Sequence, residues 1–71
     1  MSFERLDQIN ELVAHVEAIQ DNDEEAHREE DKLREGALQS IASGAFTMEE
    51  CAELAAAALR TSRLRFSRWC A

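Results

Sequence analysis

The chain contains no proline, only two glycines and few aromatic residues (6%). Because proline and glycine interrupt helices, their scarcity, together with few β-branched residues, favours an all-helical chain. Hydrophobic residues make up 45% of the sequence, which favours a folded domain over disorder although 32% of the residues are charged. With 71 residues the chain is one small domain near the lower limit for a single core, so we expect a second copy or a partner.

Cysteine is also scarce, and long apolar runs are missing. Cys51 and Cys70 have no CxxC spacing and no companion cysteines, so a zinc framework or a disulfide scaffold is not indicated, and reduced thiols in the cytoplasm are favoured. No stretch approaches the ~18 apolar residues of a membrane span, and "MSFERLDQIN" lacks the basic start and apolar run of a signal peptide. We therefore expect a soluble cytoplasmic protein without membrane contact.

Basic residues are few, and they are unevenly distributed. The formal net charge is −7, but residues 1–53 hold all 15 acids and four of the eight bases, whereas residues 54–71 hold four arginines and no acid. The chain is thus an acidic body with a basic tail. Direct nucleic-acid binding is disfavoured because it needs clustered lysine and arginine, and a basic protein is a better partner.

The first helix is predicted over residues 3–20, with Ser2 as its N-cap. Its apolar positions recur at spacings of three and four residues, at Leu6, Ile9, Val13 and Val16. The apolar arc covers roughly 200°, wider than the ~100° that one contact surface needs, so the helix should have neighbours on two sides. We expect a homodimer that uses these four residues.

A break is predicted at Asp21, Asn22 and Asp23, which compete as N-caps, although one continuous helix is the alternative. The second helix should cover residues 24–42 and end before Gly44, which can adopt a left-handed conformation.

The third helix is predicted over residues 48–60. Thr47 and Glu50 have capping-box spacing, and Phe46 can pack on Cys51. Its core side should hold Met48, Cys51, Leu54, Ala55, Ala58 and Leu59. In the tail, residues 61–71, the alternation of Leu64 and Phe66 with arginines indicates extended chain. The expected fold is a small all-α three-helix bundle with an extended C-terminal tail packed across it.

The second helix carries an unusual polar stripe within "EEAHREED". Asp23, His27, Glu30 and Arg34 share its core-facing arc, so polar groups continue a face that is apolar further along. In a structural interpretation, Arg34, or Arg65 and Arg68 of the tail, would bind the inward groups His27, Glu30 and Asp31, and Trp69 would close over helices 2 and 3. Alternatively, the stripe is a recognition face for another protein.

A metal site is the third interpretation, because Glu24 and His27 have the Glu-x-x-His spacing of di-iron bundles. Such a site needs two of these motifs and two further carboxylates, which only a symmetric dimer could supply here. Nucleophilic catalysis is disfavoured because neither Cys51 nor Cys70 has a histidine close in sequence, and no glycine-rich phosphate loop is present. We expect no cofactor.

The segments "AHREEDKLREGALQSIASG" and "ELAAAALRTSRLRFSRWCA" resemble a family of short bacterial and phage-associated proteins. The shared pattern is His-x-x-Glu-Asp-x-Leu, an alanine-rich segment with glycine, Ala-Leu-x-Thr, and a terminal Phe-x-Arg-Trp-x-Ala. Its matching residues here are His27, Glu30, Asp31, Leu33, Gly44, Ala58, Leu59, Thr61, Phe66, Arg68, Trp69 and Ala71. The resemblance covers residues 21–71, departs at Arg65, where the pattern has an acid, and implies no particular activity.

These observations together predict a non-enzymatic acidic interaction protein. A phage-type inhibitor or adaptor that docks on a basic bacterial protein fits both the charge distribution and the resemblance. The alternative is a dimeric metal-binding or small hydrolytic protein that uses Glu24, His27, Glu30 and Asp31.

Overall fold

Three α-helices and a short 3-10 helix form the protein. The computed structural model describes residues 3–66: α1 is Leu6–Ala18, α2 is Asp23–Ala42, α3 is Met48–Arg60, and Thr61–Arg63 form the 3-10 turn. Each α-helix packs against the other two, and residues 3–66 contain no strand. The predicted all-α three-helix bundle is therefore confirmed. No helix in this range has the length and apolar content needed to cross a bilayer.

The first helix was predicted over residues 3–20 but is shorter in the structure, where it begins at Leu6 and ends at Ala18. Phe3 precedes it and is buried, and its backbone N–H donates to Ser40 Oγ at 2.6 Å. The amides of Glu4 and Arg5 donate to Gln8 Oε1 at 2.6 and 3.2 Å, which satisfies donors at the helix start. The expected cap Ser2 lies outside the described residues.

The predicted break between the first two helices is confirmed. Asn22 is the N-cap of α2, and its Oδ1 accepts the Glu25 N–H at 3.2 Å. At the other end of α2, Gly44 has φ +77°, the left-handed conformation expected there.

The start of α3 is also confirmed, but its buried face differs from the prediction. Thr47 Oγ1 accepts the Glu50 N–H at 3.1 Å, and Glu50 Oε1 accepts the Thr47 N–H at 2.8 Å, which completes the capping box. The residues that α3 buries are Leu54, Ala57 and Ala58. Met48, Ala55 and Leu59 are exposed instead, since α1 and α2 cover only the side of α3 centred on Leu54.

The core has two parts. The main cluster consists of buried residues from the N-terminal segment and all three helices: Phe3, Ile9, Val13, Leu33, Ala37, Leu54, Ala57 and Ala58. A smaller cluster contains Val16, Ala26 and Phe66. Of the four residues expected at a dimer interface, Ile9, Val13 and Val16 are buried within the single chain, and Leu6 packs on the main cluster. The expected interface on this arc is therefore already covered by the chain itself, and the two-sided contact predicted for α1 is made with α2 and α3.

The tail begins differently from the prediction and then follows it. Residues Thr61–Arg63 form the 3-10 turn instead of extended chain. Leu64 is extended (φ −73°, ψ 144°), and Phe66 is buried beside Val16 and Ala26. The tail therefore packs on the bundle up to Phe66. The expected roles of Arg68 and Trp69 lie outside the described residues, as does Cys70.

Candidate functional site

The α2 stripe, defined as Asp23, His27, Glu30 and Arg34 of α2, is only partly buried. Glu30 is fully buried, His27 is mostly covered and Arg34 is half-buried. Asp23 is exposed, and so is Asp31, which was expected to point inward. Asp31 lies about 100° around the helix from Glu30, which takes it off the covered face.

Glu30 occupies the boundary between the two core clusters. On α2 it follows Ala26 of the small cluster by one turn and precedes Leu33 of the main cluster. Its Oε2 lies 3.6 Å from Arg34 Nη2. Removing a carboxylate from water is costly unless a cation or hydrogen-bond donors compensate, and Arg34 brings such a cation from the helix surface. The contact between Glu30 and Arg34 supports the structural interpretation for the centre of the stripe.

His27 pairs with Asp31 at the edge of the same face. His27 Nε2 lies 3.6 Å from Asp31 Oδ2, one helical turn away. Cys51 is far from this pair: it lies in the first turn of α3, which follows the short connection from the C-terminal end of α2, and its thiol lies 3.9 Å from the Phe46 carbonyl oxygen. His27 and Ile41, near the end of α2, are fourteen positions apart, which is about 21 Å along the helix. The structure therefore does not bring Cys51 and His27 together as a nucleophile and base.

The residues proposed as metal ligands do not converge within one chain. Glu24 is exposed and pairs with Arg28 at 3.7 Å, and His27 is engaged by Asp31. Across residues 3–66, no group of three or more histidine, cysteine, aspartate or glutamate side chains is arranged to hold a metal ion.

Arg65 was expected to bind the stripe from the tail. It is exposed and forms no ion pair with another residue in the range 3–66.

Two surfaces that the sequence reasoning did not assign are prominent in the structure. The first is acidic and covers the outside of α1, the α1–α2 turn and the first residue of α2. Its carboxylates are exposed, and none forms an ion pair with another described residue: Asp7, Glu11, Glu17, Asp21 and Asp23. We call this set the acidic surface. The negative charge of residues 1–53 was the sequence signal for it, but only the fold shows that these carboxylates form no ion pair within residues 3–66.

The second surface is an apolar groove between α2 and α3. It encloses ≈ 270 Å³ and is lined by Arg34, Ala37, Leu38, Ile41, Ala55, Ala58 and Leu59. Leu38 and Leu59 project from its walls into solvent. Helical periodicity assigned Ala55 and Leu59 to the core, since apolar character alone does not distinguish a covered position from an uncovered one.

Comparison with known proteins found no match among family models, curated proteins or solved structures. The resemblance drawn from the sequence therefore stays a prediction, and the functional argument depends on the geometry of this chain.

Proposed function

We propose that the protein is a non-enzymatic interaction module that docks its acidic surface on a basic protein. The observation that carries the proposal is the set of exposed carboxylates on α1 and the α1–α2 turn that have no cation beside them in the described chain. A surface of one sign steers an oppositely charged partner toward it and disfavours partners of like charge.

Apart from Asp23, which belongs to both, the acidic surface differs from the α2 stripe in the contacts that its residues make. Glu30 is buried and engaged by Arg34, so a partner would have to break an internal contact to reach it. His27 is likewise held by Asp31. The carboxylates of α1 and the turn need no such rearrangement, which favours them as the contact surface.

The sequence resemblance supports a bacterial or phage setting for this activity, as an inhibitor or adaptor of a basic bacterial protein. The spacing of Cys51 and Cys70, which fits reduced thiols, favours the cytoplasm as the compartment.

Affinity capture from bacterial lysate tests the proposal. We expect a basic protein to be retained at low salt and released at moderate salt, because exposed charges are screened within about 10 Å at 0.1 M salt. The double variant Glu11→Gln, Asp21→Asn should retain clearly less of it. Glu35→Gln with Glu53→Gln is the matched control, since it removes the same charge from exposed positions on α2 and α3.

Equal loss in both double variants would show that net charge, and not the acidic surface, controls binding. Retention of no basic protein at any salt concentration would reject the proposed function.

A further inference from the structure

The large hydrophobic side chains that are exposed among residues 3–66 lie on one side of the bundle. They are Leu38 of α2 and Met48 and Leu59 of α3, with exposed fractions of 67%, 88% and 65%. Leu38 and Leu59 line the same groove. Single exposed hydrophobic residues are ordinary, but their concentration on one face of a small protein indicates a surface that is covered by a partner.

On α3 this surface is a continuous uncharged stripe. Met48, Ala52, Ala55 and Leu59 are all exposed and follow one another at spacings of four, three and four residues. On an α-helix these spacings align the side chains in one row, which is the pattern of a helix-pairing seam. We call these four residues the α3 stripe.

The α3 stripe is symmetric about the middle of the helix. Met48 and Leu59 are equally distant from the midpoint between Glu53 and Leu54, and so are Ala52 and Ala55. If two copies of α3 pair antiparallel about a two-fold axis at this midpoint, Met48 meets the partner's Leu59 and Ala52 meets the partner's Ala55. The two alanines at the centre allow close approach of the helix axes, and the larger side chains fill the ends.

The charges beside the stripe are complementary under the same symmetry. Glu49 and Arg60 are both exposed, and Arg60 lies on the α1 side of α3, where its Nη2 donates to Asn10 Oδ1 and its remaining N–H groups stay available to a partner. At 1.5 Å per residue, antiparallel pairing about the midpoint puts Glu49 within about 3 Å, along the axis, of the level of the partner's Arg60. The two-fold axis repeats this pairing, so one interface would contain two such contacts.

We infer that the α3 stripe is the interface of a symmetric, antiparallel homodimer, with Leu38 covering its α2 edge. A second copy is the occupant because both the apolar pattern and the flanking charges are self-complementary. This interface replaces the one predicted on α1, whose residues the single chain already buries. It is independent of the proposed acidic docking surface, which lies on α1 and the turn.

Charge exchange between chains tests the inference directly. Glu49→Lys alone places lysine beside the partner's Arg60, and Arg60→Glu alone places glutamate beside the partner's Glu49. In analytical ultracentrifugation, each variant should therefore dimerise more weakly than the wild type. A mixture of the two variants should form heterodimers, because both contacts are then between opposite charges, and the double variant Glu49→Lys, Arg60→Glu should again self-associate.

Leu59→Asp tests the apolar part of the interface. Two copies of the change remove two buried leucines, so the dimer Kd should rise by about 100-fold or more. Because Leu59 is exposed in the single chain, the Leu59→Asp variant should keep the helical circular dichroism spectrum and the melting temperature of the wild-type monomer. Glu11→Lys, a charge reversal on α1, is the control and should leave dimerisation unchanged.

A wild-type chain that stays monomeric at millimolar concentration overturns the inference. So does a dimer that Leu59→Asp does not weaken, or a mixture of Glu49→Lys and Arg60→Glu chains that forms no heterodimer.

Discussion

Two Glu–Arg pairs on α2 have the same residue types and the same i, i+4 spacing, yet they occupy opposite environments. Glu24 and Arg28 approach to 3.7 Å with exposed side-chain fractions of 74% and 61%. Glu30 and Arg34 approach to 3.6 Å, but Glu30 is 0% exposed and Arg34 is 42% exposed. Helix geometry alone explains why both pairs form, since residues four apart lie on the same side of a helix.

The comparison shows that burial, and not spacing, sets the contribution of each pair to stability. In the exposed pair both charges keep most of their hydration, so little is gained or lost when one is removed. In the other pair the carboxylate has left water, so its environment must compensate the cost. The position of Glu30 between the two core clusters is the reason for this difference.

The largest expected effect comes from Glu30→Ala. Removing a buried, paired carboxylate leaves a cavity and breaks the contact with Arg34, so the free energy of unfolding should fall by about 3 kcal/mol. Urea denaturation followed by circular dichroism measures this change. Glu24→Ala is the matched control and should stay within about 0.5 kcal/mol of wild type. Equal effects of the two substitutions would contradict the structural role assigned to Glu30.

Double-mutant cycles should show a smaller difference between the two Glu–Arg pairs, but one that reports the interaction within each pair specifically. The coupling between Glu30 and Arg34 is expected to be about 1 to 2 kcal/mol, and that between Glu24 and Arg28 about 0.3 to 0.5 kcal/mol. Alanine substitutions, singly and in pairs, supply both cycles.

Repeating both cycles in 1 M NaCl tests whether burial causes the difference between the two coupling energies. Salt should remove most of the Glu24–Arg28 coupling and leave most of the Glu30–Arg34 coupling, because partly buried charges are screened less than exposed ones. A buried pair that loses its coupling in salt would indicate that water reaches Glu30.

Local sequence signals predicted the helix ends that depend on neighbouring residues. Thr47 with Glu50, Asn22 among the three candidate caps, and Gly44 each act within a few residues of their own position. The start of α1 was predicted three residues too early, because the Phe3 amide is bonded to Ser40, 37 positions away, and Phe3 therefore stays outside the helix. No helix pattern around Phe3 contains that information.

The candidate site, like the helix ends, was predictable from the sequence only in part. The helical projection placed Glu30 on the covered face, where the structure has it, and left Arg34, Arg65 and Arg68 open as partners; the structure shows the contact with Arg34. The projection could not show which apolar arcs other helices would cover. It therefore assigned Ile9 and Val13 to a dimer and Leu59 to the core, whereas the fold buries the first two and exposes the third.

The hydrogen bond between Phe3 and Ser40 has a consequence for the order in which the chain folds. Only residues 19–22 and 43–47 connect the helices, and such short connections favour folding in microseconds to milliseconds. The N-terminal segment lies outside these helical hairpins, and its hydrogen bond to Ser40 joins residues that are 37 positions apart. We expect it to dock last and to open first, so that the Phe3 amide exchanges its hydrogen faster than the amides beside Leu33 and Leu54 in native-state exchange. Exchange at Phe3 as slow as at Leu54 would instead mean that the segment unfolds only together with the whole bundle.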